Sequence, residues 1–177
     1  MKFLLGVVLC FTLFDHSTGF AQAGDSRAIA AKRDANRFTS ALLKKEYPAF
    51  VDLLYQPFVD SMGGKKKFIE NVKESMRRSA EAGDYPESFV VSDAVELVTN
   101  GDHLAVTLPF VLSLHEHGKS TPSPNNGFLI GVSLDAGNTW GFLDATNMQT
   151  ADLKIFLPEF SNKLTIFQKP LLITPHR

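Results

Sequence analysis

The hydrophobic pattern of this chain changes its period once, near Gly83, and that change limits the possible folds more than any other feature. Between Asp25 and Ala82, apolar residues recur every three or four positions, whereas between Phe89 and Phe142 they alternate with polar ones. The first spacing is that of an amphipathic helix, and the second is that of a half-buried strand. The sequence therefore predicts helices followed by a sheet, which is an α+β domain.

Four helices are predicted in the first half of the chain. The first spans Asp25 to Lys45, with Asp25 or Ser26 as its N-cap. Proline is tolerated in a first helical turn, so Tyr47-Pro48 and Gln56-Pro57 are each expected to begin a short helix. The side chains expected to face inward from these two helices are Phe50, Leu53, Leu54, Phe58, Val59 and Met62. After Gly63-Gly64, a fourth helix is expected to bury a stripe formed by Phe68, Ile69, Val72, Met76 and Ala80.

Four antiparallel strands and a last helix are predicted after Gly83. Asn100-Gly101 is typical of a hairpin turn, and it separates a first strand, Phe89 to Leu97, from a second, Leu104 to Leu114. The segment from Gly118 to Gly127 is predicted to be a loop. The rest is expected to consist of a third strand from Phe128 to Leu134, a fourth with Trp140 and Phe142, a helix capped by Thr150 and ended by Pro158, and an extended tail from about residue 164.

This order of elements resembles that of the cystatin-like and nuclear-transport-factor-2-like folds. In those folds a curved sheet wraps around a helix and forms a cone. We therefore expect N-terminal helices packed on a curved four-stranded antiparallel sheet, with a short C-terminal helix.

Residues 1–23 have the pattern of a cleaved signal peptide. Lys2 is followed by the 12-residue apolar stretch Phe3–Phe14 and by the cleavage pattern Ala21-Gln22-Ala23. Twelve residues rise only about 18 Å as a helix, which is less than the roughly 30 Å of the hydrocarbon core, so no permanent membrane anchor is expected. The chain has no Asn-x-Ser/Thr sequon, and a bacterial, secreted or periplasmic protein is favoured. Residues 24–177 are expected to form a single domain.

The charge and the cysteine content exclude several classes of function. The 18 Lys and Arg residues nearly balance the 19 Asp and Glu residues, and the net charge of −1 provides no basic field for nucleic acid. Cys10 is the only cysteine, and it lies within the predicted leader. The mature protein is therefore expected to have no disulfide, no thiolate metal site and no cysteine nucleophile.

Three segments resemble a family of small, exported, uncharacterised bacterial proteins. They are Tyr55–Ile69, Phe128–Met148 and Leu153–Phe160, and their order and spacing also agree. The resemblance covers most of the mature chain. It implies an exported domain of unknown activity, supports the expected fold and assigns no catalytic residue.

The segment from Ser133 to Trp140 is similar to the Asp-box of sialidases and other secreted proteins. The matching residues are Ser133, Asp135, Gly137, Thr139 and Trp140. Hydroxyl and carboxylate oxygens at these positions are suited to accept hydrogen bonds from turn amides, and the glycine tolerates positive φ. We interpret the motif as a structural turn, because a sialidase would need several such boxes in a much longer chain.

The pair His115-x-His117 is the feature most like a metal site. Residues two apart on a strand share a face, so both imidazoles could contact one ion. The spacing is common, and no third ligand is evident, although His103 or a carboxylate could supply one. Solvated histidines at a strand end are the favoured interpretation, and no metal or other cofactor is predicted.

Asp144 separates two hypotheses on function. Enzymes with a cone fold, which this order of elements resembles, place an Asp, a His or a Tyr in an apolar pocket that tunes its pKa. Asp144 alternates in phase with Trp140 and Phe142, so it could point inward with Tyr55 or Tyr47 as its partner. Alternatively, Asp144 accepts hydrogen bonds from the turn amides that follow it, which is the reading we favour.

The leading hypothesis is a non-enzymatic exported domain that binds a small apolar ligand or a protein through a cone pocket or a sheet face. Tyr47, Tyr55 and Phe142 are the candidate ligand contacts. The alternative is a cofactor-free enzyme of the cone fold, an isomerase, dehydratase or hydrolase, that uses Asp144 with a tyrosine.

Overall fold

The helices and strands follow one another in the order that the change of period predicts. The structure is a computed structural model, and it describes residues 25–165. The predicted leader and the tail beyond Thr165 lie outside these residues. The helices are α1 (Ser26–Leu43), α2 (Tyr47–Asp52), α3 (Gln56–Ser61), α4 (Gly64–Glu81) and α5 (Thr150–Phe156). The strands are β1 (Tyr85–Val91), β2 (Glu96–Asn100), β3 (His103–His115), β4 (Ser123–Ser133) and β5 (Gly141–Asp144).

The N-terminal helices begin where their local chemistry predicts. Asp25 is the N-cap of α1, and its carboxylate accepts a hydrogen bond of 2.9 Å from the backbone N–H of Arg27. Pro48 and Pro57 occupy the first turns of α2 and α3, where the missing N–H leaves no helical bond unmade.

Strand β3 is the centre of an antiparallel sheet that is four strands wide. Strands β1 and β2 pair in succession with β3, β4 pairs with its other edge, and β5 pairs with β4. The predicted first strand is therefore two strands. Val91 is opposite Phe110 and Glu96 is opposite Thr107, so residues 92–95 are an insertion relative to β3 that bends the sheet.

The link between α2 and α3 extends the sheet past β5. The N–H of Tyr55 donates to the carbonyl of Phe142, and the N–H of Phe142 donates to the carbonyl of Leu53, each over 2.9 Å. Gly141 permits this approach, because a Cβ there would lie 3.0 Å from the Cα of Tyr55. The helical layer is thus fixed to the sheet by backbone bonds as well as by packing.

Two hydrophobic cores cover opposite faces of the sheet. The helix-side core includes Ala31, Ala35, Phe38, Val51, Leu54, Val106, Leu108, Trp140 and Phe142. The outer core lies on the other face and consists of Val98, Ala105, Ile130, Val132, Leu143, Leu153, Leu157, Phe160 and Leu164. The expected helices on a curved antiparallel sheet are confirmed, and α5 covers the face opposite to α1–α4. Coverage from both sides explains why β3 is buried continuously from Leu104 to Phe110.

Met62 and Ala80 were expected to be buried but are exposed, and Leu134, at the end of the third predicted strand, is exposed too. Met62 is the C-cap of α3 and is 47% exposed, and Leu134 follows the end of β4 and is 50% exposed. Ala80 is exposed as well, and it lies one residue before the end of α4. Each of these side chains lies at or near the end of an element, where the periodic pattern continues but the opposing surface does not.

Several boundaries also differ from the predictions, and the first strand begins at Tyr85 rather than Phe89. Strand β4 begins at Ser123 rather than Phe128, because Ser123 to Gly127 pair with Phe110 to Leu114 of β3. The N-cap of α5 is Gln149 rather than Thr150, and it forms a capping box with Asp152. Within residues 25–165, no helix has the length and apolar character that a membrane span requires.

Candidate functional site

An apolar cavity of about 360 Å³ lies between α4, the other helices and the end of the sheet next to β5. Sixteen residues line it, and only Ser75, Asp144 and Asp152 are polar. The apolar lining residues are Phe38, Leu42, Phe50, Leu54, Phe58, Phe68, Val72, Met76, Phe89, Leu129, Leu143, Met148 and Phe156. We refer to this space as the apolar cavity. Its volume is within the range of about 300 to 1,000 Å³ that is typical of ligand sites.

The position of α4 creates the apolar cavity. The N-cap of this helix is Gly63, whose φ of 97° lets the chain turn between α3 and α4. It packs mainly on α2 and α3, and none of its 18 residues is buried. Phe68, Val72 and Met76 are only half-buried, although they form the apolar stripe of the helix. The stripe therefore faces the space over the sheet without filling it.

Asp144 and Asp152 are carboxylates in the wall of the apolar cavity that also hold turns. Oδ1 of Asp144 accepts hydrogen bonds from the N–H and the hydroxyl of Thr146, at 2.9 and 2.5 Å. Oδ2 of Asp152 accepts the N–H of Gln149 at 2.8 Å. Asp144 is exposed, so it lies at the opening rather than in the apolar interior.

The three candidate ligand contacts occupy three different places. Tyr47 lines a separate cavity, and Tyr55 packs against the outer core. Burial raises the pKa of Tyr55, and the carboxylate of Glu159 raises it further. Phe142 is fully buried, with its ring centroid 5.6 Å from that of Phe38. Neither tyrosine lines the cavity of Asp144.

The structure separates the two candidate metal-binding histidines. Strand β3 ends at His115, so His117 lies beyond the strand and the shared-face argument does not apply to it. The ring of His115 stacks on Tyr85 at 4.6 Å, and its Nδ1 is 3.3 Å from a carboxylate oxygen of Glu87. His103 is at the opposite end of β3, 2.8 Å from Glu159. Residues 25–165 contain no group of three side chains arranged to hold a metal ion.

The Asp-box-like segment forms a hydrogen-bonded turn before β5. The carboxylate of Asp135 accepts bonds from the N–H of Thr139 at 2.9 Å and from its hydroxyl at 2.7 Å. These bonds, and one from the hydroxyl of Ser133, lower the pKa of Asp135. Gly137 has a φ of 95°, and its carbonyl accepts the indole N–H of the buried Trp140 at 3.1 Å.

A second cavity of about 530 Å³ lies on the other side of Met76, whose side chain lines both spaces. It is formed by the end of α1, the later turns of α4 and the start of β1. The lining residues are Leu43, Lys45, Tyr47, Lys73, Met76, Arg77, Ala80, Glu81, Tyr85 and Pro86. We call it the basic cavity, because three of its four charged residues are cationic.

Sequence reasoning missed most of the residues that line these spaces. The apolar stripe of α4 was visible in the sequence, but periodicity marks a face as apolar without showing whether that face is filled. No local signal in the sequence shows that this face stays unfilled. Lys45 and Lys73 gave no signal, because surface lysines are common.

None of the models of known protein families matches this chain, and no curated protein matches it in sequence.

Proposed function

We propose that this domain binds a small apolar molecule in the apolar cavity beneath α4. The observation that carries the proposal is the combination of an 18-residue helix with no buried residue and an apolar space of about 360 Å³ directly under its apolar stripe. Apolar surface that stays in contact with water is unfavourable, at about 25 cal/mol for each Å². A ligand that fills the space offsets this cost.

Both faces of the sheet are covered, which favours a ligand in the cavity over a protein partner on a sheet face. The α1–α3 layer covers one face, and α5 with the segment up to Leu164 covers the other. The exposed large apolar side chains, such as Ile29, Val90 and Ile155, are on different elements. Single exposed apolar residues are normal and do not define a binding patch.

The enzyme alternative has one supporting observation, which is that Asp144 lines the apolar cavity. Its Oδ1 is engaged by Thr146, and Tyr47 and Tyr55 lie elsewhere. A general acid or base acts from a position where burial tunes its pKa, whereas Asp144 is exposed. Non-enzymatic binding is therefore the function we favour.

The proposal includes export, which rests on the pattern of Lys2, Phe3–Phe14 and Ala21-Gln22-Ala23. Protein collected from the periplasm or medium is expected to begin at Gly24 or Gln22 in N-terminal sequencing. An intact Met1 in that material would contradict export by this route.

The binding proposal is tested by titrating a neutral apolar fluorescent dye into the wild type and two variants. Val72 lines the apolar cavity and is half-buried, so Val72→Phe is expected to occupy the space and abolish the rise in fluorescence. Val90 is 60% exposed on β1 and lines neither cavity, so Val90→Phe makes the same chemical change as a control. Equal dye binding by both variants would show that the dye binds elsewhere and would overturn the proposal.

A further inference from the structure

The two cavities lie on neighbouring sides of α4 and share Met76, and this arrangement carries an inference about the ligand. We propose that the ligand is a monomeric amphiphile with an anionic headgroup, whose tail occupies the apolar cavity and whose headgroup occupies the basic cavity. This proposal rests on the proposed function, since it names the class of molecule for the same site.

Met76 is the residue that the two spaces share. It lines the apolar cavity with Val72 and Phe89, and it lines the basic cavity with Lys73 and Tyr85. Methionine is unbranched and adjusts its rotamer readily, so a chain can pass beside it without a change in the backbone. A molecule with an apolar part and a polar part therefore fits the pair of cavities better than it fits either one.

The charges in the basic cavity favour an anion. Arg77 is paired with Glu74 and Glu81, so the only acid in the cavity wall is already compensated. The side-chain ammonium groups of Lys45 and Lys73 have no ion-pair or hydrogen-bond partner among residues 25–165, and both residues line the same space. Two ammonium groups that line one space without a counter-ion attract a carboxylate or a phosphate.

The backbone of Lys45 adopts a conformation that is unfavourable for a residue other than glycine. It follows α1 with a φ of 60°, and its N–H donates to the carbonyl of Leu42 at 3.0 Å. The N–H of Glu46 donates to the carbonyl of Ala41 at 2.8 Å, which completes the turn that ends the helix. Glycine is the residue usually found at this position, because it adopts a positive φ without strain. A lysine there is disfavoured for the fold, and it supplies one of the two unpaired charges in the basic cavity.

The two carboxylates of the apolar cavity predict the opposite selectivity, which is a preference for a cationic headgroup, and the test must exclude it. Asp144 and Asp152 line its wall and would attract a cationic headgroup if they determined selectivity. Both hold turn or cap amides, and Asp144 is exposed to solvent. Both carboxylates already accept hydrogen bonds, whereas the ammonium groups of the two lysines have no partner among residues 25–165, so we expect the lysines to determine selectivity.

The test compares decanoate, decanol and decylamine, which share one tail and differ in the headgroup. Isothermal titration of the wild type with each compound, kept below micelle-forming concentrations, is expected to give the tightest binding for decanoate, by about tenfold over decanol. Lys73→Gln and Lys45→Gly are each expected to remove most of this advantage and leave decanol binding unchanged. Lys66→Gln is the matched control, because Lys66 is exposed on α4 and lines neither cavity.

Lys45→Gly also guards against misfolding as an explanation. Glycine relieves the positive φ, so the variant is expected to keep or raise the denaturation midpoint while its decanoate binding weakens. A variant that is at least as stable as wild type and yet binds less decanoate has lost a ligand contact.

The outcomes distinguish failure of the apolar site from failure of the anionic headgroup. Decanol binding that Val72→Phe abolishes supports the apolar site whatever the headgroup preference, and failure of all three compounds to bind overturns both proposals. Equal affinity for decanoate and decanol, or a preference for decylamine, overturns the anionic headgroup alone. Vesicles of phosphatidylglycerol form a further arm, and binding to vesicles without binding to monomeric decanoate would contradict a monomeric ligand.

Discussion

Helices α1 and α4 have the same length, 18 residues each, but they differ in what they bury. Seven residues of α1 are buried, and four of its apolar side chains belong to the helix-side core. None of the residues of α4 is buried, although the helix has a clear apolar stripe. An amphipathic pattern therefore shows which face of a helix is directed inward and not how closely that face packs. In this molecule α1 builds the core, and α4 forms the wall of a cavity.

The turns at the two ends of β5 also differ, in the hydrogen bonds that hold each carboxylate. Asp135 stands before the strand, and three hydrogen bonds from Ser133 and Thr139 hold its carboxylate above a buried Trp140. Asp144 ends the strand at the opening of the apolar cavity and accepts bonds from Thr146 alone. We expect the first turn to contribute more to stability than the second.

The largest effect is expected at Trp140, which anchors the first of these turns. Truncation of a buried Trp to Ala typically costs about 3 to 5 kcal/mol. Trp140→Ala is expected to lie in this range, since it opens the helix-side core and removes the bond from the indole to Gly137. Equilibrium denaturation measures the change, and a midpoint equal to that of the wild type would contradict the assigned role.

The difference between α1 and α4 is tested directly by one substitution on each helix. Phe38 is buried and stacks on Phe50 at 4.6 Å, so Phe38→Ala is expected to cost about 3 to 4 kcal/mol. Phe68 is half-buried beside the apolar cavity, and Phe68→Ala is expected to cost about 1 kcal/mol. Denaturation curves recorded without ligand give both values. Equal costs would show that α4 packs as closely as α1.

The two turns are compared by removing each carboxylate. Asp135→Ala is expected to cost about 1 to 2 kcal/mol, because it leaves turn amides and the hydroxyl of Ser133 without their acceptor. Asp144→Asn keeps an acceptor oxygen on an exposed turn and is expected to cost less than about 1 kcal/mol. An Asp144→Asn variant more stable than the wild type would favour the enzyme alternative, since catalytic groups often reduce stability.

The smallest expected effect is the pH dependence that Asp135 introduces. Its pKa is lowered by bonds from the N–H and hydroxyl of Thr139 and from Ser133. A lowered pKa in the folded state adds stability that is fully present above the unfolded value of about 3.9 and is lost as the pH falls through the folded value. The stability difference between the wild type and Asp135→Asn should therefore be constant near neutral pH and shrink below about pH 4. A difference that stays constant down to the acid transition would contradict this assignment.

The sequence was sufficient to predict the fold class because local signals marked most of its elements. Proline at the first turns of α2 and α3, Asp25 as a cap and the alternation in β3 each act within a few residues. The division of the first predicted strand was not predictable, since it depends on the register of residues 92–95 against β3. Coverage of the outer face by α5 also depends on long-range packing, and no local signal indicates it.

The candidate site was less predictable than the fold for the same reason. Asp144 and Phe142 were identified from their phase along β5, but phase does not show that one is exposed and the other fully buried. The apolar cavity exists because α4 leaves its stripe incompletely covered, which is a property of how three layers meet. Lys45 is a candidate partly because its φ is positive, and the sequence does not reveal that angle.

The central claim is that the space beneath α4 holds a ligand, and native mass spectrometry of protein purified from its own exported fraction tests it most directly. We predict that the wild type and Val90→Phe retain a small apolar molecule and that Val72→Phe, which fills the apolar cavity, does not. Identical masses of bound material in Val72→Phe and the wild type, or no bound molecule in the wild type, would contradict the claim.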